Sequence, residues 1–106
     1  MCRPLTLHHT DHGYVSWCNH CEHISVAFGN VLMTILPSQA GCFITLLSHD
    51  IQHYRNKISE NEKAFIYNSD SNSVRLILNF KEIENLYALL YPSLLLYEAQ
   101  QILYGE

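Results

Sequence analysis

Basic residues are scarce in this chain: six Lys and Arg stand against ten Asp and Glu, for a formal net charge of −4. A nucleic-acid backbone binder needs a basic stripe to displace counterions. Here Arg3, Arg55, Lys57, Lys63, Arg75 and Lys81 are scattered along the chain, so no nucleic-acid partner is expected. Charge of either sign is low, at 15% against 48% hydrophobic residues, which excludes a disordered chain. The first apolar run is broken by His8, His9, Thr10, Asp11 and His12, so it does not read as a secretory leader. The apolar stretch over residues 86–97 is interrupted by Pro92 and Ser93 and falls short of the roughly 20 residues that cross a bilayer. A cytoplasmic protein with no membrane span is the expectation. Also missing are a G-x-S-x-G nucleophile turn, a P-loop, a G-x-G-x-x-G fingerprint and paired carboxylates in a recognisable setting. There is no internal repeat, low-complexity run or linker.

What is present fits one domain of 106 residues with its own core. Residues 1–36 read as two successive hairpins. The first turns at Thr10-Asp11-His12-Gly13, where glycine supplies unusual backbone freedom. In the second, Ile24, Val26 and Phe28 alternate with Ser25 and Ala27. Gly29-Asn30 then forms a two-residue loop with glycine first, as a type II′ turn requires, and the chain returns through residues 31–35. Pro37 opens a helix predicted over residues 37–56, in which Ala40, Phe43, Ile44, Leu47, Ile51 and Tyr54 recur at spacings of three and four. Residues 64–80 read as a third hairpin around the polar turn of residues 68–73. A long helix fills residues 81–104, with Asn79 and Glu82 spaced as a capping box and Pro92 expected to bend it near Ala88-Leu89. The predicted fold is α+β: a two-layer sandwich in the order β-β-β-β-α-β-β-α, with an antiparallel sheet of about six strands and two helices on one face.

The chemistry-bearing segment is Cys18-Asn19-His20-Cys21-Glu22-His23. Two thiolates two residues apart can grip one metal, because the intervening turn aims both sulfurs at one point. A first hairpin centred on residues 11–12 brings the lone Cys2 opposite residues 20–21 and supplies a third ligand. The fourth is His20 or His23. His23 is preferred, since it leaves the knuckle at the start of the next strand, whereas His20 has to turn back past both cysteines. Cys2, Cys18, Cys21 and His23 then form a Cys₃His set of the kind that holds structural zinc. Two other readings stand beside this one. The cysteines can be buried packing residues. A thiol-redox pair is the other, but it lacks the helix that normally follows and activates C-x-x-C. His8, His9 and His12 read as polar turn and strand surface. His49 and His53 are spaced i, i+4 on the first helix and can hold a metal, but with no further convergent group they read as a solvated face. Cys42, beside Phe43 and Ile44, reads as core.

The pattern Met1-Cys2, Leu7-His8-x-Thr10-x-x-Gly13, Cys18-x-His20-Cys21-x-His23 and Ala27-Phe28-Gly29-Asn30, with the tail Leu96-Tyr97-Glu98-Ala99-Gln100-Gln101-Ile102-Leu103, resembles a family of short proteins from Bacteroidetes-type bacteria, a domain of unknown function. The resemblance covers most of the chain. It implies a shared fold and a recurring Cys/His pattern, and no activity, substrate or partner.

From the residues alone, the chain reads as a non-enzymatic interaction or regulatory module with a structural zinc knuckle. The alternative is a metal- or thiol-dependent enzyme using the segment from Cys18 to His23. The last helix is apolar on more than one face. Leu86, Leu90 and Leu94 can meet the sheet, leaving Tyr87, Tyr91, Leu95 and Tyr104 for another surface, and a homodimer through this helix is the economical proposal.

Overall fold

The structure is a computed structural model that describes residues 5–18, 22–59, 61–68 and 75–104. The element order is β1 (Leu5–Thr10), β2 (Gly13–Cys18), β3 (His23–Phe28), β4 (Val31–Ile35), α1 (Pro37–Tyr54), β5 (Phe65–Asn68), β6 (Arg75–Leu78) and α2 (Phe80–Tyr104). This is the expected β-β-β-β-α-β-β-α order of an α+β fold. The six strands among the described residues pair antiparallel with their neighbours, but they divide between two sheets: β1-β2-β3-β4, and the separate pair β5-β6. The reason lies in where the last hairpin buries its apolar face. Phe65, Leu76 and Leu78 are buried. Phe65 meets Tyr54 of α1 and Phe80 of α2, and Tyr67 meets Phe43 of α1, all through ring contacts. The hairpin is therefore held by helix aromatics, not by a neighbouring strand.

The four-stranded sheet grows from two tight turns. Between β1 and β2 the His12 N–H is accepted by the Thr10 hydroxyl, and Gly13 passes so close to β3 that a Cβ there would lie 1.8 Å from the Ala27 carbonyl oxygen. Between β3 and β4, Gly29 takes φ +57°, the left-handed region that favours glycine. Its N–H reaches the His12 carbonyl and ties the two turns together. A bulge between Thr6 and His8 interrupts the β1–β2 ladder. It leaves the buried Leu7 as the extra residue between the Thr6–Ser16 and His8–Val15 pairs.

One face of this sheet carries Leu7, Val15, Trp17, Ile24, Val26 and Phe28 into the core. The two helices cover that face: α1 meets β3, α2 meets β1 and β2, and the helices pack on each other. α1 contributes Ala40, Ile44, Leu47 and Ile51, and α2 contributes Ile83, Leu86, Leu89 and Leu90. Trp17 and Tyr97 meet edge to face at 4.7 Å and anchor the second half of α2. The opposite sheet face bears a row of hydroxyls, Thr6, Ser16, Ser25 and Thr34, in register across all four strands.

Both helices start as their sequences direct. Pro37 occupies the first turn of α1, and the Gln39 side chain accepts the Leu36 N–H. α1 ends two residues before the expected Asn56, which takes φ +64° and reverses the chain. At α2 the capping box is reciprocal: the Asn79 side chain accepts the Glu82 N–H at 2.7 Å, and Glu82 accepts the Asn79 N–H at 2.9 Å. Pro92 lies inside α2, which runs as one element from Phe80 to Tyr104. The buried Ser93 hydroxyl donates to the Leu89 carbonyl at 2.7 Å, adding a bond where proline removes a donor. Among the described residues no helix is long and apolar enough to cross a membrane.

Candidate functional site

Of the expected metal ligands, Cys18 and His23 lie among the described residues. Cys18 closes β2 and is buried, while His23 opens β3 and is exposed. The two are direct cross-strand partners. Side chains so paired stand roughly 4.5–5.5 Å apart at Cβ, close enough to share one ion. Glu22, just before His23, takes φ +58°, and its N–H bonds back to the Cys18 carbonyl at 3.0 Å. Cys2, Cys21 and the alternative ligand His20 lie outside the described residues, and so does the expected arrival of Cys2 at the knuckle. Among the described residues alone, no group of three or more His, Cys, Asp or Glu comes together to hold a metal.

Cys42 corrects one expectation. It is exposed on α1, not part of the core. The buried stripe of that helix runs through Ala40, Ile44, Leu47 and Ile51. Two residues past Ala40 is about 200° around a helix with 3.6 residues per turn, which faces away from the sheet.

A second polar cluster joins α1 to β5. The Tyr67 hydroxyl donates to the Asp50 carboxylate at 2.6 Å. Burial first, then that hydrogen bond and the nearby negative charge, push the Tyr67 hydroxyl well above its ordinary pKa. The other Asp50 oxygen lies 3.6 Å from Nδ1 of His49. The imidazoles of His49 and His53 are parallel, 5.8 Å apart and one helical turn from each other. Tyr54 meets His53 edge-on at 4.7 Å. Sequence reading finds the His49/His53 spacing but not its support. Tyr67 is 17 residues beyond Asp50, in a different hairpin, and no local periodicity connects them. The His49 side chain is 74% exposed, so this cluster offers no water-excluded chamber for acid–base chemistry.

Two open clefts lie among the described residues. One, of about 280 Å³, lies between the helices and includes Arg55 and Glu84, which form an ion pair at 3.7 Å. The other, of about 460 Å³, lies where the Asp11-His12 and Gly29 turns meet the start of α2 at Glu82 and Asn85. Burial alone would push the Glu82 carboxyl up. The hydrogen bond from Lys63, the Asn79 N–H and the Lys63 charge outweigh it and hold the carboxyl below its ordinary range. Glu82 is thus committed to capping α2 and to Lys63, and is not poised for chemistry.

The fold is a small α+β domain, with a Cys/His pair at one end of its main sheet and no assembled catalytic set among the described residues. The chain belongs to DUF6686, a family of unknown function, which matches residues 1–100. No curated protein and no solved structure matches it.

Proposed function

We propose that this chain is a small non-enzymatic interaction or regulatory module whose β2–β3 end is a structural zinc knuckle held by Cys2, Cys18, Cys21 and His23. The observation that carries the reading is the backbone at Glu22. A non-glycine residue in the left-handed region costs on the order of 1–2 kcal/mol and persists where its surroundings compel it. Glu22 stands in that region at φ +58°, directly after Cys21, with its N–H returned to Cys18. A metal gripping two cysteines of a C-x-x-C needs this kind of immediate reversal after the second sulfur. The pairing of Cys18 with His23 adds a histidine beside the first cysteine. The β1–β2 ladder supports Cys2 as the remaining ligand. Beyond the bulge it pairs Leu5 with Trp17 and Thr6 with Ser16, so β1 begins beside the end of β2 that carries Cys18.

In a reducing, cytoplasmic setting such thiols serve a metal and not disulfides. The partner surface in this reading is the outer side of α2, where Tyr91, Leu95, Leu96 and Ile102 are exposed and a second copy of the chain is the economical occupant. X-ray absorption at the zinc edge tests the coordination. Three sulfurs and one nitrogen are expected. Three protein ligands plus water would replace this reading with a metal-dependent enzyme.

A further inference from the structure

We propose that His49 and His53 form a second metal site, on the exposed face of α1, that takes a late first-row divalent cation such as zinc. Imidazole nitrogen suits zinc, nickel and copper, and two histidines at i and i+4 lie on one helix face. The rings stack parallel to within 8° with centroids 5.8 Å apart; both side chains are exposed, and turning the rings from this stack brings one nitrogen of each to a shared ion. Exposure alone would make this an ordinary solvated face. What sets it apart is the support behind each ring. Asp50 holds one carboxylate oxygen 3.6 Å from Nδ1 of His49, and its other oxygen is fixed by the Tyr67 hydroxyl at 2.6 Å. A carboxylate on that side favours the proton on Nδ1 and leaves the Nε2 lone pair directed outward. Metal-binding histidines are commonly oriented by such a partner. His53 is in turn braced edge-on by Tyr54. Asp50 and Tyr67 are therefore positioning residues, and the ligands are the two imidazoles, with water completing the coordination.

The site is independent of the knuckle, and its test can be kept so. The full chain, first equilibrated with one equivalent of zinc, is titrated with further zinc while the imidazole nitrogens are followed by long-range proton–nitrogen correlation. The expected result is that Nε2 of His49 and Nε2 of His53 shift together and saturate, and that His49→Ala removes the response of His53. Asp50→Asn is expected to weaken the binding by roughly tenfold or more and, without metal, to move His49 away from the Nδ1–H tautomer. The proposal is overturned if neither ring responds at millimolar zinc, or if His53 responds equally in His49→Ala. His49 is exposed, so that variant is expected to fold, and His53→Ala repeats the test from the other ligand.

Discussion

At the residue scale, one backbone position and one hydroxyl carry consequences out of proportion to their size. Gly13→Ala would place a Cβ 1.8 Å from the Ala27 carbonyl oxygen, a backbone atom of the neighbouring strand that cannot swing aside. A loss of at least about 2 kcal/mol in denaturant unfolding is expected, the scale of a forced overpacking. Glycine at this turn is legible in the sequence, but its cause is not: the composition suggests turn freedom, whereas the structure adds the contact with β3. Tyr67 gives a pH signature. Its folded pKa is raised above the ordinary 10.0, so its contribution to stability is complete below that value and is lost as pH rises past it. Stability curves for wild type and Tyr67→Phe are expected to converge in alkali. An absorbance titration should show one tyrosine ionising late, and Asp50→Ala should bring it back towards the others. Cys42 is exposed although Phe43 and Ile44 beside it are apolar, because neighbours in sequence are not neighbours on a helix face.

At the element scale, the two helix starts were readable and the division of strands was not. Capping boxes depend on residues three apart, and the Asn79–Glu82 pair forms as its spacing indicates. Asn79→Ala is expected to cost about 1 kcal/mol, with α2 as the element that loosens. Glu82 gives stability a pH dependence of opposite sign to that from Tyr67. Its folded pKa lies below the ordinary 4.5, so its stabilisation is present above that value and fades as pH falls through the lower folded one. Glu82→Gln is expected to flatten the acid limb of stability against pH, measured by urea unfolding. The separation of β5-β6 from the main sheet was not legible, because alternation tells which face of a strand is apolar but not what that face meets. Phe43, Tyr54 and Phe80 make the difference, and they come from two helices.

At the scale of the whole molecule, the fold class and the element order follow from hairpin turns and helical spacing, since each signal is local. The candidate site is less legible. The C-x-x-C and its flanking histidines are plain in the sequence, but the left-handed Glu22 and the pairing of Cys18 with His23 emerge only from the folded chain. The Tyr67–Asp50 contact is likewise invisible until α1 and β5 meet. The exposed apolar side of α2 bears on assembly. If a second copy covers it, Leu95→Glu is expected to halve the mass seen by light scattering without loss of helix signal.

Native mass spectrometry of the untagged protein, purified without chelator and paired with elemental analysis, tests the zinc knuckle most directly. One tightly held zinc per chain is expected. Cys21→Ser should lose it and destabilise the fold by several kcal/mol, because structural metal binding is coupled to folding. A metal-free chain whose thiols react readily with an alkylating agent, and whose Cys21→Ser variant is as stable as wild type, would contradict it.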